Sequence, residues 1–103
     1  MGLLNVIFGN KTKKIKDFQS RGAIILDVRS KAEYAQGAIP GSKNISLQEI
    51  GAKMSQIKKW NAPVITCCAS GMRSASATAL IKAQGIDVMN GGGWFSLHGK
   101  LES

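Results

Sequence analysis

Two adjacent cysteines, Cys67 and Cys68, lie in the run VITCCASGMRSAS from Val64 to Ser76, and Gly71 and Arg73 follow them. A cysteine does chemistry as its thiolate, so its surroundings decide whether it is reactive. The apolar residues before the pair predict a strand, and the small residues after it predict a loop opening a helix. In such a loop the backbone N–H groups can turn inward and form a concavity for an anion. The helix adds partial positive charge at its N-terminus, and Arg73 adds a full one. All three favour thiolate over thiol and pull a cysteine below its ordinary pKa of ~8.5. Gly71 permits a backbone conformation that other residues resist. Ala69 and Ser70 leave room for a substrate. A thiolate that exists before the substrate arrives needs no general base.

Free cysteine is among the most buried residue types. Cys67 accordingly reads as a core residue of the strand, and Cys68 as the nucleophile. Counted from Cys67, five residues precede Arg73, the length that wraps a tetrahedral phosphate in a phosphatase. Counted from Cys68, four residues intervene, a tighter ring that suits a smaller target such as an exposed sulfur atom. Spacing alone leaves both frames open.

The elements that must position this loop alternate. NKTKKIKDFQSRG reads as a helix with Ile15 and Phe18 on one face, stopped at Gly22. AIILDV, Ala23 to Val28, is a continuous apolar run suited to a strand buried on both faces. Ser30 and Glu33 form a capping box opening a short helix through Gln36. GAIPGSKN is expected to be loop. Ser46 and Glu49 repeat the capping pattern, predicting a helix to about Lys59 with Leu47, Ile50, Met54 and Ile57 along it. VITCC is a second strand, SASATALIKAQG a helix ended by Gly85, and IDVM a third strand. NGGGWF is expected to be a turn or loop, and the remainder a last helical turn. Strands alternating with helices predict an α/β fold, a mainly parallel sheet covered on both faces. Ligands of such sheets sit at the carboxyl ends of the strands, where Cys68 falls.

The chain has 103 residues, 44% of them hydrophobic. That length suits one domain, expected over 1–103, able to bury a core without staples. No window approaches the ~20 apolar residues that span a bilayer, so no membrane partner is expected. MGLLNVIFGN lacks the pattern of a signal peptide or a myristoylation site. It is expected to be an N-terminal arm or edge strand over 1–10, and the cytoplasm is the expected compartment. The net charge is +8. Lys11, Lys13, Lys14 and Lys16 cluster without interleaved aromatics, which describes a solvated helix face better than a nucleic-acid surface. A basic field of this kind attracts small anions. Neighbouring cysteines would form a strained disulfide ring. A single histidine without metal-ligand spacing points to no zinc site, and no cofactor is expected.

LDVRSKAEYAQGAIPGSKNIS, CASGMRSA and NGGGWF stand in that order between about Ala23 and Trp94. Together they resemble the single-domain rhodaneses, a sulfurtransferase family. The resemblance implies a small α/β domain of rhodanese type with helices on both faces of a parallel sheet. It places the catalytic cysteine at Cys68, first in a six-residue loop of Cys68, Ala69, Ser70, Gly71, Met72 and Arg73. Gly71 lies three residues after Cys68, the spacing of the phosphatase glycine too, so a phosphatase frame starting from Cys67 fits badly. The family's chemistry implies that Cys68 takes sulfur from a small anionic donor such as thiosulfate, carries it as a persulfide, and passes it to a thiol, a protein persulfide acceptor, or cyanide. Residues 69 to 73 would cradle the persulfide, and Arg73 would help hold the donor. Asp27 and Arg29 would tie loops around the site. A Cys67 phosphatase and a non-catalytic sulfur-binding module are the alternatives; no Asp or Glu lies between Asn61 and Ile86 to serve a phosphatase as acid. Ser74 is expected to cap the following helix or to touch substrate, the cap being favoured, Gly91, Gly92 and Gly93 to form a turn, Trp94 to be core or pocket wall, and His98 to lie at the surface. Two positions depart from the family pattern: Ala38, where His is common, and Cys67, where an aromatic residue or His is common. No partner chain is implied, and a monomer is expected.

Overall fold

A computed structural model describes the backbone of residues 2–103 and the side chains of residues 10–103. Helix α1 spans Gly2–Ser20, followed by strand β1 at Ile24–Asp27 and helix α2 at Lys31–Ala35. Strand β2, Lys43–Asn44, leads to a single 3-10 turn at Leu47–Glu49 and helix α3 at Met54–Lys59. Strand β3 at Val64–Cys68, helix α4 at Met72–Lys82, strand β4 at Val88–Gly93 and helix α5 at Trp94–Glu102 complete the chain. The four strands form one sheet in the order β2-β1-β3-β4, and every pair is parallel. The fold is α/β, as the alternation of elements predicts.

The sheet separates two apolar clusters. On one face Leu26, Val28, Ile50, Ile57, Val64, Ala77 and Ile81 pack together with Cys68. On the other, Ile15 and Phe18 of α1 and Leu97 of α5 pack with Ile65, Met89 and Cys67. Side chains alternate across a strand, so consecutive residues of β3 serve opposite layers. Burying each large aliphatic side chain contributes ~1.5–3 kcal/mol, and Ile15, Leu26, Ile50, Ile65, Ile81 and Leu97 are wholly buried.

Gly22 stops α1 with φ +78°, and Gly85 follows α4 with φ +80°, both left-handed as helix-ending glycines should be. The Ser30 box is complete: Glu33 N–H donates to Ser30 Oγ at 3.2 Å, and Ser30 N–H donates to Glu33 Oε1 at 3.0 Å.

Four local expectations are corrected. The segment 1–10 supplies no edge strand, because from Gly2 its backbone belongs to α1. Leu4, Ile7 and Phe8 recur at helical spacing in phase with Ile15 and Phe18, and that periodicity decides the element. How the segment docks lies outside the described side chains. The second capping pattern does not open one long helix. Ser46 Oγ meets Glu49 Oε1 at 3.3 Å instead of a backbone N–H, and the chain makes a 3-10 turn before restarting at Met54. Gly51 in mid-segment weakens helix by ~1 kcal/mol, while Ile50 and Ile57 still reach the core from the two shorter pieces. Asn90 to Gly93 extend β4 instead of forming a turn, and Trp94 opens a helix of nine residues. Lys43 and Asn44, expected as loop, pair with Leu26 and Asp27.

The glycines of β4 are required by close neighbours. A Cβ on Gly91 would stand 2.7 Å from Ile65 Cγ2 and 2.9 Å from Thr66 O. One on Gly93 would stand 2.9 Å from Ala69 O. This strand therefore presses its bare backbone against β3 and against the loop beyond it.

Candidate active site

Strand β3 ends at Cys68 and helix α4 begins at Met72, so the connection is only Ala69, Ser70 and Gly71. Gly71 caps the helix with φ +101°, a left-handed conformation that turns the chain back over Cys68. A Cβ there would meet Gly92 Cα at 3.3 Å, so the position lacks space as well as conformational freedom for another residue.

The turn closes on the sulfur of Cys68. Gly71 N–H donates to Cys68 Sγ at 3.0 Å and Ser74 N–H donates at 3.4 Å. Ser74 Oγ lies 3.4 Å from the same sulfur and 2.7 Å from Asn90 Oδ1. Its single proton serves one acceptor at a time. Burial pushes the Cys68 thiol up, but the Ser74 hydroxyl and the amides of Ser74, Gly71 and Ser70 outweigh it and hold the pKa below the ordinary cysteine value. Two of those donors, Ser70 and Gly71, come from the span 69–73 expected to form a cradle. Ser74 lies beyond that span, and of its two expected roles it takes the one at the reacting centre, as a donor to the sulfur itself. It is fully buried, facing the sulfur and Asn90, and does not cap the helix.

Cys67 has none of this. It is wholly buried in the opposite apolar cluster. Its thiol is pushed up to about 12, first by burial and then by the Asp27 carboxylate. A thiol so held stays protonated at neutral pH and is a poor nucleophile. The alternation of β3 aims the two sulfurs to opposite sides of the sheet, and the loop amides meet only Cys68.

Asn90 locks the loop from β4. Its Nδ2 donates to Gly71 O at 3.0 Å, while its Oδ1 accepts from Gly92 N–H at 2.9 Å and from Ser74 Oγ. Thr66 braces the same region, its Oγ1 lying 2.7 Å from Thr78 Oγ1 and 3.2 Å from Ser74 O. Neither residue stands out in the sequence. A polar residue amid the apolar VITCC run and an Asn preceding three glycines are the signals they offer.

Asp27 and Arg29 form a buried pair. Arg29 Nη2 and Nε donate to Asp27 Oδ2 at 2.8 and 3.0 Å. Arg29 also donates to Gly37 O at 2.7 Å and lies over the Trp94 ring, 4.7 Å from its centroid. The hydrogen bonds to Asp27 hold its pKa above the ordinary arginine value. Paired and hydrogen-bonded in this way, the buried charges avoid the heavy cost of isolated ones. The pair joins the ends of β1, the loop at Gly37 and the start of α5. Asn44 adds a further tie, its Nδ2 donating to Asp27 O and Arg29 O at 3.0 and 2.9 Å.

Arg73 faces outward, about two-fifths exposed, and makes a bidentate pair with Glu33 at 2.8 and 2.9 Å. Glu33 therefore has two tasks, capping α2 and fixing Arg73 beside the loop. Its bonds to Arg73, and then to Ser30, lower its pKa to about 2. Met72 is largely exposed at the loop rim, and Ala69 and Ser70 are also exposed. His98 lies on α5, 3.3 Å from Glu102, in a different part of the molecule's surface from the loop. No group of three or more His, Cys, Asp or Glu side chains among the described residues could hold a metal ion. No described helix is long and apolar enough to cross a membrane.

The comparisons with known proteins agree with this geometry. Over 80 residues the chain is 35% identical to the thiosulfate sulfurtransferase GlpE of Pseudomonas fluorescens, covering 77% of this chain and 72% of that protein. It is 39% identical over 62 residues to a sulfurtransferase of Allochromatium vinosum, covering 60% of this chain but 57% of the relative's length. The rhodanese-like domain protein of Staphylococcus aureus superposes with a TM-score of 0.70 at 32% identity, covering 84% of this chain and 86% of that one. The model of the rhodanese-like domain matches residues 11–98. An amide-ringed cysteine at the end of a central parallel strand, within a match of that extent, makes this chain a member of the rhodanese-like domain family.

Proposed function

We propose that the protein is a sulfurtransferase that carries sulfane sulfur as a persulfide on Cys68. The observation that carries this reading is the set of donors around Cys68 Sγ, with Gly71 N–H at 3.0 Å and Ser74 N–H at 3.4 Å. They stabilise a thiolate without a general base, and they fit an anionic persulfide in the same place. The Cys68 thiolate attacks the outer sulfur of a donor such as thiosulfate. The donor S–S bond breaks, and sulfite leaves with the electron pair. An acceptor thiolate, or cyanide, then attacks the outer persulfide sulfur and returns Cys68 as thiolate. The sulfur is wholly buried beneath a loop of small residues, Ala69, Ser70 and Gly71, that a substrate must part, and Met72 and Arg73 flank that loop. Arg73, with Glu33 holding its guanidinium, offers one partly exposed cation to the incoming anion. Asp27 and Arg29 keep the surrounding loops in place. The working unit in this reading is one domain over residues 1–103, acting without cofactor.

The position of Cys67 argues against a phosphatase, because no loop amide reaches its sulfur. A purely binding module would not need a stabilised thiolate. Intact mass after brief incubation with thiosulfate tests the reading on wild type, Cys67→Ala and Cys68→Ala. One added sulfur atom is expected in the first two proteins and none in the third. Sulfur gained by Cys68→Ala, or by none of them, overturns the proposal.

A further inference from the structure

β4 is an edge strand: among the described residues only β3 pairs with it. A groove of about 400 Å³ runs beside it between two helices. Val88, Met89 and Asn90 contribute from the strand, Lys11 and Lys14 from α1, and Thr78 and Lys82 from α4. Because α1 and α4 cover opposite faces of the sheet, the lysines stand on both sides of the open edge. Lys11 Nζ approaches to 3.3 Å from where a Cβ on Gly92 would be.

The distribution of charge makes this groove unusual. The salt bridges among the described residues involve Arg21, Arg29, Arg73 and His98, and no lysine. Five of the six acidic residues are used in those pairs, and among the described residues Lys11, Lys14 and Lys82 form no salt bridge. An open edge offers main-chain donors and acceptors to a further strand. Side chains of an added strand alternate between the faces. Acidic ones would meet Lys11 and Lys14 on one side and Lys82 on the other.

We propose that the edge of β4 is a docking site for an extended acidic segment of a partner protein, which adds to the sheet as a fifth strand. The flexible lysine stems that lie over the edge give way to it, and their ammonium groups pair with its carboxylates. A second copy of this chain is a poor occupant, since it brings the same +8 charge. The site is separate from the Cys68 chemistry and does not depend on it. Asn90 nevertheless belongs to both, lining the groove and holding Gly71 and Ser74 of the sulfur loop. A partner seated here therefore stands beside the loop.

The test uses a fluorescein-labelled peptide of repeating Glu-Glu-Val-Val, about ten residues long, which matches the strand and puts carboxylates on both of its faces. A Glu-Pro peptide of equal charge is the control, because proline cannot complete a ladder. The expected result is saturable binding of the Glu-Glu-Val-Val peptide, with slower amide exchange in Val88–Gly93. Affinity should fall about tenfold or more in Lys14→Glu/Lys82→Glu, a loss consistent with reversal of close charge pairs. Both lysines are exposed, and Lys14→Gln/Lys82→Gln provides a milder second variant with a smaller loss in the same direction. No binding, unchanged affinity in both folded variants, or equal binding of the Glu-Pro peptide overturns the proposal. So does tighter binding of a single-stranded oligonucleotide, which would make the groove a nucleic-acid surface.

Discussion

At the scale of single residues, the two cysteines differ by placement alone. Their side chains are identical, yet one thiol is held low by hydrogen bonds and the other is driven to about 12. Ser74 carries a testable share of that difference. Ser74→Ala removes a donor to sulfur and frees Asn90. The Cys68 pKa should rise, so the thiolate fraction falls at any pH below it. Each unit of rise lowers that fraction about tenfold. The pH dependence of Cys68 alkylation by iodoacetamide measures it; an unshifted profile would show that the amides suffice. Glu33 titrates in the opposite sense. Its pKa is depressed, so the contribution of the Glu33–Arg73 pair is complete above the usual carboxylate range and is lost as pH falls toward about 2. Glu33→Gln should remove that acid limb from a plot of melting temperature against pH. It should also lower KM for thiosulfate more than it changes kcat, because Arg73 is released toward the anion. An unchanged KM would separate Arg73 from donor binding.

At the scale of elements, β4 governs the shape of the sulfur loop. Gly91→Ala places a methyl group within 3 Å of Ile65, Leu97 and Thr66 O. Overpacking of this kind costs ~1–3 kcal/mol, and chemical denaturation should show it as a lower midpoint with unchanged slope. Asn90→Ala should leave the sheet intact but loosen the turn at Gly71, reducing sulfur loading far more than stability. This is where the sequence was hardest to read. Continuous apolar runs and a complete capping box made β1, β3 and α2 legible. The Cys–Gly–Arg spacing made the strand–loop–helix around Cys68 legible too, because each element there obeys its local preference. Asn90 to Gly93 do not. Three consecutive glycines favour a turn locally, and only the close approach of β3 and the loop makes them strand. The Asn90 and Ser74 contacts were invisible for the same reason, since both depend on which strands become neighbours. Lys43 and Asn44 form two residues of strand by pairing with β1, too short a stretch to carry a periodic signal.

At the scale of the whole molecule, the excess charge resides in lysines while the arginines are engaged. The field is therefore one of exposed, screenable ammonium groups. Encounter with a dianionic donor should slow as salt rises across the range where the Debye length falls from ~30 to ~8 Å. The second-order rate of thiosulfate loading at increasing ionic strength checks this. A flat response would mean that steering contributes nothing.

The opposite facing of two neighbouring sulfurs also gives the molecule a built-in stopwatch. A small alkylating reagent offered to the native protein should modify Cys68, itself wholly buried beneath the short loop Ala69 to Gly71, at a rate set by its acidity and by the opening of that loop. Cys67 can be modified only when β3 leaves its layer, because its sulfur is sealed between α1, α5 and the sheet. The mass of the doubly modified species, followed over hours, would then count global openings one molecule at a time, with the first label recording that each began as a folded chain.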